Sequence, residues 1–255
     1  MSRIYTNKCE KKPSINQKEV LDFFEERAKK ANTIGYKQAV IYQDKNPNLA
    51  EKRDKAEKEL LLPKFKLSGR ERVLDIGCGT GRWAEILKDK VNYYCGVDAS
   101  KGLIEIAKKK FAQSNTKFNY LKAEDISLEN INEQQLFDRI INIGVIMYLN
   151  EPQLKQYLLA IPKLISKDGL FIIREPIAIE KRLTLDMHYS NDMEQSYSAI
   201  YRTEEELLEL IENSLYKLGM NLIESDYVFK NSNLNNRAET KMKYFIFKLN
   251  SAGKL

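Results

Sequence analysis

The 255-residue chain has few of the side chains that carry metal, redox or base chemistry. Its three cysteines, Cys9, Cys78 and Cys95, have a spacing that fits neither a disulfide framework nor a zinc knuckle. Its single histidine, His188, excludes a metal site built on several histidines, so we expect no metal. Unpaired cysteines are typical of a reducing compartment, and we therefore expect a cytoplasmic protein.

Long apolar runs and blocks of one charge are also absent from the sequence. No stretch approaches the roughly 20 apolar residues of a membrane span, and the N-terminal residues lack the apolar centre of a signal peptide. The 42 basic and 36 acidic residues are interspersed, which leaves a net charge of +6. This balance disfavours a nucleic-acid partner and favours a small-molecule substrate. The sequence gives no indication of the oligomeric state.

The order of apolar patterns indicates an α/β fold. Residues 1–66 are charged and amphipathic: Ser14 and Gln17 form a capping-box pattern ahead of a helix, and a loop over 34–46 carries two tyrosines. From Glu71 onward, short apolar strands alternate with helices, which predicts a parallel sheet covered on both faces. We predict a helical cap or lid over 1–66, a second domain over 67–255, and an insertion over about 178–202 at the carboxyl edge of the sheet.

A glycine-rich turn follows the first predicted strand and enters a helix. In VLDIGCGTGRWAE, Gly77, Gly79 and Gly81 let the backbone turn tightly and approach a ligand. The pattern is D-x-G-x-G-x-G, beginning at Asp75. The dinucleotide fingerprint would need glycine or alanine where this chain has Arg82, so a nicotinamide oxidoreductase is disfavoured.

This segment resembles motif I of the class I S-adenosylmethionine-dependent methyltransferases. The resemblance extends to Asp98 at the end of the second strand, to KAEDI after the third, and to FDRIINIGVIMYL, where Tyr148 stands at a position that is frequently histidine. It implies a Rossmann-like, doubly wound, seven-stranded sheet with an antiparallel last strand. It also implies S-adenosylmethionine as the cofactor and S-adenosylhomocysteine as the product.

The same resemblance assigns cofactor roles. Asp75 is expected to meet the methionyl ammonium, Asp98 the ribose hydroxyls and Asp125 the adenine amine, while Ile126 lies beside the adenine ring. The full cofactor set that it implies is Asp75, Gly77, Cys78, Gly79, Asp98, Ala99, Glu124, Asp125, Ile126 and Asn142.

The acceptor side is expected to combine tyrosines and arginines at the carboxyl edge of the sheet. Arg174 directly follows an apolar strand, where it either presents a bidentate fork to an anion or pairs with Glu175, Asp138 or an N-terminal acid. His188 is either a general base or a surface residue. We predict His188, Tyr148 and Arg174 as catalytic, and as substrate-binding Tyr36, Tyr42, Arg174, Tyr189, Tyr201 and Arg202.

These residues favour methyl transfer to an oxygen. The acceptor that fits them best is a small, anionic, phosphoryl-type molecule (phosphate, phosphonate or phosphoramidate) or a sugar hydroxyl. The N-terminal layout loosely resembles that of bacterial small-molecule and capsule-pathway methyltransferases. The alternatives are N-methylation of an amino sugar or a protein amine, with Glu175 and Tyr148 as amine ligands, or a module that binds the cofactor without turnover.

Overall fold

Strands and helices alternate from residue 72 onward, as the sequence predicts. The computed structural model describes residues 2–230, 232–235 and 237–249. Its strands are β1 (Arg3–Thr6), β2 (Arg72–Ile76), β3 (Tyr93–Asp98), β4 (Thr116–Tyr120), β5 (Phe137–Ile143), β6 (Ile165–Ala178), β7 (Arg182–Ser190), β8 (Gln195–Tyr201), β9 (Met220–Tyr227) and β10 (Thr240–Leu249). Its helices are α1 (Gln17–Ile34), α2 (Tyr36–Ile41), α3 (Pro47–Leu61), α4 (Ala84–Leu87), α5 (Lys101–Phe111), α6 (Glu151–Leu164) and α7 (Glu204–Glu212).

The main sheet has seven strands in the order β4-β3-β2-β5-β6-β10-β9. Strands β2 to β6 pair in parallel, whereas β10 is antiparallel to both β6 and β9. The inner strands are apolar on both faces because helices cover both sides, as for Val73 and Leu74 of β2, which are fully buried. This confirms the predicted fold class, a Rossmann-like seven-stranded sheet whose last strand is antiparallel.

A second, smaller sheet forms the region beyond the carboxyl edge. Strands β7 and β8 lie within the predicted insertion, and β1 pairs with β7 to give the order β1-β7-β8. Residues 3–6 are therefore a strand and not part of a helical segment. The run RIYT is too short for its period to be recognised without its partner β7.

The N-terminal helices differ from the prediction at two points. Helix α1 begins at Gln17, and Asn16, whose side chain accepts a hydrogen bond from the backbone N–H of Lys18, is its cap. The expected capping box at Ser14 is therefore wrong, because the cap lies two residues later. Residues 36–41 form helix α2 instead of the expected loop, entered through Gly35 at φ 101°. In the described part of the chain, no helix is long and apolar enough to cross a membrane.

Candidate functional site

A cavity of about 490 Å³ lies at the carboxyl ends of the parallel strands. One side of the cavity comes from the carboxyl ends of β2, β3, β5 and β6 and the residues next to them, and the other side comes from α1, α2 and α3. Asp75, Asp98 and Arg174 line it from the sheet, whereas Phe24 and Tyr42 line it from the N-terminal segment. The glycine turn and the predicted acceptor side therefore open into one enclosed space, as methyl transfer requires.

The glycine turn is held against the end of β3 by its backbone. The N–H groups of Gly77 and Cys78 both donate to the carbonyl oxygen of Val97, at 2.8 and 3.0 Å. Gly77 has φ 77°, and a Cβ there would lie 2.1 Å from a methyl group of Val145. Only glycine fits this close approach, which keeps the turn open toward the cavity.

Asp98 carries both backbone and cavity contacts. Its Oδ2 accepts from the N–H of Gly79 and its Oδ1 from the N–H of Ser100, each at 2.8 Å. Burial raises the pKa of this carboxyl to about 6. Each carboxylate oxygen has a second lone-pair direction, so two further hydrogen bonds from a ligand can be accepted. The neighbouring Ala99 also lines the cavity.

Asp75 is a buried carboxylate on the cavity wall. The hydroxyl of Tyr94 donates to its Oδ2 at 2.6 Å, and the residue is 1% exposed. Burial raises its pKa to about 7, and no cation lies within ion-pair distance of it among the described residues. A cationic group in the cavity would stabilise its ionised form. Its position fits the expected contact with an ammonium.

The segment after β4 places its residues differently from the prediction. Glu124 lines the cavity, whereas Asp125 is exposed and Ile126 is packed in the core beneath a separate surface depression. The cause is the tight helical turn over Ala123–Asp125, which directs successive side chains outward and inward. Neither Asp125 nor Ile126, both predicted at the adenine, lines this cavity.

Asn142 also lies away from the cavity. Its side chain is fully buried and donates to the hydroxyl of Tyr157 at 2.7 Å. The three residues that follow it, Ile143, Gly144 and Val145, line the cavity instead. The predicted cofactor contact of the Asn142 side chain is therefore not supported by its position.

Four tyrosines face the acceptor end of the cavity. The Tyr148 hydroxyl donates to that of Tyr42 at 3.0 Å, and the hydroxyls of Tyr197 and Tyr201 lie 3.2 Å apart. Burial raises the pKa of Tyr42 to about 12 and the pKa values of Tyr148 and Tyr201 well above 10. The hydroxyls of Tyr42, Tyr148 and Tyr201 are therefore protonated near neutral pH.

Two expected ligands lie outside the cavity on the small sheet. The His188 ring contacts the Ser2 hydroxyl at 3.1 Å, and Tyr189 is 56% exposed. Strand β7 has a register irregularity between Leu185 and His188. Burial lowers the pKa of His188, and neither His188 nor Tyr189 lines the cavity.

Two further expected ligands are engaged in structural contacts. Tyr36 donates to Glu85 at 2.7 Å on the outer side of α2. Arg202 is buried and donates to the carbonyl oxygens of Ile146 and Leu149 and to Glu151. Neither Tyr36 nor Arg202 lines the cavity. In the described part of the chain, no group of His, Cys, Asp or Glu is arranged to hold a metal ion.

Arg174 lines the cavity but is paired with an acid. Its Nη2 lies 2.5 Å from Glu57 of α3, which also accepts from Arg82 at 2.5 Å. Of the two sequence-based readings of Arg174, pairing with an N-terminal acid is the one observed. Its Nε has no hydrogen-bond partner among the described residues.

Glu175 points to the other side of β6. Its carboxylate accepts from the backbone N–H groups of Val145, Ile146 and Met147 at 2.8 to 3.3 Å and thereby caps the turn after β5. Burial raises the pKa of Glu175 to about 7. The expectation that Glu175 binds an amine substrate is therefore wrong, because its oxygens face buried amides.

Sequence reasoning missed the charged residues that α3 and the segment before β10 contribute. These are Arg53, Asp54, Glu57 and Arg237, and all four line the cavity. The charge-rich sequence of α3 was the one feature that could have indicated these residues. It was not informative, because a helix that faces water has the same pattern.

Comparisons with known proteins agree with this geometry. Residues 73–169 match the family model described as a methyltransferase domain. The ubiquinone biosynthesis O-methyltransferase of Pelagibacter ubique is 30% identical over 122 residues, which are 46% of this chain and 49% of that protein. The chain spans about half the length of the curated relatives it matches.

Solved structures of 14% sequence identity share the fold. Phosphoethanolamine N-methyltransferase 1 of Haemonchus contortus, in complex with phosphoethanolamine and S-adenosylhomocysteine, has a TM-score of 0.68 over 94% of this chain and 51% of that one. The N-methyltransferase NodS of Bradyrhizobium japonicum, in complex with S-adenosylhomocysteine, has a TM-score of 0.59 over 91% and 98%. These matches agree with the resemblance seen in the sequence: residues 73–169 match a methyltransferase domain, and the chain has the fold of the class I S-adenosylmethionine-dependent methyltransferases.

Proposed function

We propose that the chain transfers a methyl group from S-adenosylmethionine to an oxygen of a small anionic acceptor, best a phosphoryl-type oxygen. The observation that carries the proposal is the cavity that joins the glycine turn and Asp98 to a chamber of tyrosines and arginines. When bound, S-adenosylmethionine supplies an activated methyl group, and the protein contributes alignment and the exclusion of water.

The cofactor assignment rests on two carboxylates at one end of the cavity. Asp98 has acceptor capacity for two ribose hydroxyls, and Asp75 offers a buried negative charge to the methionyl ammonium. Gly77, Cys78 and Gly79 lie between these carboxylates on the cavity wall. Two structural relatives described above bind S-adenosylhomocysteine, which supports the same ligand here.

No histidine is among the described residues that line the cavity, which favours an acceptor that is already ionised. Tyr42, Tyr148 and Tyr201 remain protonated near neutral pH, and His188 lies outside the cavity. A sugar hydroxyl needs to lose a proton during transfer, whereas a phosphoryl oxygen is anionic before it reacts. The hydroxyl of Tyr42, which accepts from Tyr148, keeps its own proton and then serves as a donor that orients the acceptor.

An amine acceptor is less well supported. Glu175 is taken up by backbone amides, and the acids Asp54 and Glu57 are paired with Arg82. Besides the two carboxylates assigned to the cofactor, Glu124 and Asp192 are the described lining acids without a cation within 4 Å, and they remain candidates for binding a substrate ammonium. Two of the structural relatives are named as N-methyltransferases, so methyl transfer to an amine is the alternative that the activity assay has to test.

Residues 1–66 are well placed to act as a lid. Val20 and Phe24 of α1 and Val40 of α2 line the cavity, and a Cβ on Gly79 would lie 3.2 Å from Val40. Hydrogen exchange tests this role: amides of α1 and α2 should gain protection when S-adenosylhomocysteine binds. Unchanged exchange in both helices would contradict a lid.

The function is tested by S-adenosylhomocysteine release with acceptors of three classes. The purified chain is incubated with S-adenosylmethionine and a phosphonate, a sugar or an amino sugar of similar size. We expect turnover with the phosphonate and much less with the others. Turnover with the amino sugar alone would refute the oxygen acceptor. Tight cofactor binding without turnover on any class would favour the non-catalytic module.

A further inference from the structure

Arg53 of α3 differs from the other buried arginines in its partners. In the described part of the chain, the arginines less than 9% exposed are Arg27, Arg53, Arg82, Arg182 and Arg202. Four of them have a carboxylate within 4 Å. Among the described residues, no carboxylate lies within that distance of Arg53, which is 6% exposed. A buried guanidinium without a counter-charge is costly, so this arrangement calls for a negative partner.

The contacts of Arg53 leave one of its nitrogens without a partner among the described residues. Its Nε and Nη2 donate to the backbone carbonyl oxygens of Leu234 and Asn235 at 2.8 and 3.0 Å. Its Nη1 is buried without a hydrogen-bond partner among the described residues, and the residue lines the cavity. Burial lowers its pKa, and Asp192, beyond ion-pair distance, is the carboxylate that partly offsets this. The two carbonyl contacts fix the guanidinium in place, so its orientation is set before a ligand arrives.

Arg237 brings a second guanidinium to the same cavity. It follows the segment whose carbonyl groups hold Arg53, and it donates to the hydroxyl of Tyr197. Its guanidinium carbon lies 5.6 Å from the ring centre of Tyr197 and 5.9 Å from that of Tyr201. No described carboxylate lies within 4 Å of Arg237. Stacking on aromatic rings leaves its edge free for an anion.

We infer that Arg53 and Arg237 form an anion-binding subsite that holds the phosphate or phosphonate group of the acceptor. The inference rests on the proposed function and extends it by naming the residues that select the acceptor. Arg174 is not the centre of this subsite, because Glu57 already balances its charge. Both arginines line the same cavity, and a tetrahedral oxyanion has several oxygens that can accept hydrogen bonds from more than one guanidinium group.

The test measures binding of inorganic phosphate by calorimetry, with chloride at equal ionic strength as the reference. It is run with and without saturating S-adenosylhomocysteine. We expect Arg53→Gln and Arg237→Gln each to weaken phosphate binding at least about tenfold, the scale of one charged hydrogen bond. Their affinity for S-adenosylhomocysteine should stay at the wild-type value.

Arg139 provides a matched control. Like Arg53, it donates through Nε and Nη2 to two successive backbone carbonyl oxygens, those of Phe65 and Lys66, but it does not line the cavity. Arg139→Gln should therefore leave phosphate binding unchanged. If Arg53→Gln does not fold, the half-buried Arg237 carries the test alone.

The outcomes separate the two proposals. Equal phosphate affinity in the wild type and in a folded Arg53→Gln or Arg237→Gln variant would overturn the subsite. An equal loss in the Arg139→Gln control would overturn it as well, because the effect would then be general. Failure of the wild type to bind S-adenosylhomocysteine would refute the proposed function, while the phosphate measurement without that ligand would still decide the subsite.

Discussion

Replacing Asp98 by asparagine tests the assignment of the cofactor end of the cavity. The carboxylate accepts one backbone N–H on each oxygen, from Gly79 and Ser100, and has one remaining acceptor direction per oxygen. Asparagine has nearly the same shape but no charge and only one acceptor oxygen. The substitution therefore removes at least one charge-assisted hydrogen bond to the ribose and weakens the other.

The expected magnitude follows from these contacts. A hydrogen bond to a charged group contributes about 1.5–3 kcal/mol, which corresponds to a loss of roughly 10- to 100-fold in affinity for S-adenosylhomocysteine. The introduced side-chain amide would also direct its NH₂ group at the backbone N–H of Gly79 or Ser100, donor against donor. We therefore expect the free energy of unfolding to fall by about 1–3 kcal/mol as well.

Calorimetry with S-adenosylhomocysteine measures the affinity, and urea denaturation measures the loss of stability. The matched control is Asp226→Asn, because Asp226 also accepts a backbone N–H, from Tyr227 at 2.7 Å, but lies on exposed β9 away from the cavity. The control should bind like the wild type. A folded Asp98→Asn variant with wild-type affinity would refute the assignment of Asp98 as a ribose ligand.

Three further predictions follow from the burial of carboxyls and from the position of the histidine. Burial raises the pKa of Asp75 to about 7 and that of Asp98 to about 6, so both hold protons in the empty cavity at pH values where a free carboxyl is ionised. Because the ligand should bind the ionised carboxylates, affinity for S-adenosylhomocysteine should rise from about pH 5.5 to 7.5, and binding should release protons. Calorimetry in buffers of different ionisation enthalpy measures both quantities, and an affinity that does not change with pH would contradict this prediction. Glu175→Ala leaves three buried amides without their acceptor and should lower the free energy of unfolding by about 3 kcal/mol or more in urea denaturation, so unchanged stability would contradict its capping role. Because His188 does not line the cavity, His188→Ala should leave the methyl-transfer rate and its pH profile unchanged. A large loss of rate would show that His188 takes part in the reaction.

The part of the fold that local sequence specifies was predictable. Apolar strands such as Phe137–Ile143 and the helices between them carry their period within a few residues, so the seven-stranded sheet could be anticipated. Strand β1 could not, because its four residues form a strand only through their pairing with β7. The start of α1 was missed since Ser14 and Asn16 are both good caps, and the choice between them depends on packing.

The cofactor end of the cavity, like the main sheet, was more predictable from local sequence than the acceptor end. Asp75, Gly77 and Asp98 were predictable because each directly follows or ends a strand, and backbone geometry fixes where they lie. Asp125 was misplaced because a tight turn rotates each successive side chain by a large angle, and an error of one residue reverses its direction. The spacing of residues in the sequence thus locates the turn after β4, but it does not decide whether Glu124 or Asp125 faces the cavity.

The acceptor end depends on contacts between residues far apart in the sequence, and there the residue types alone are not informative. Arg53 and Glu57 are one turn apart on α3, and in the sequence both look like ordinary charged residues of a solvent-exposed helix face. Their environments in the structure nevertheless differ. Glu57 is neutralised by Arg82 and Arg174, whereas Arg53 meets only carbonyl oxygens of a segment more than 180 positions later. Which cation is left without a counter-charge is decided by that distant packing. In the subsite that we propose, the choice of acceptor therefore depends on how α3 packs on the sheet, whereas the sequence alone predicted Arg174 at its centre.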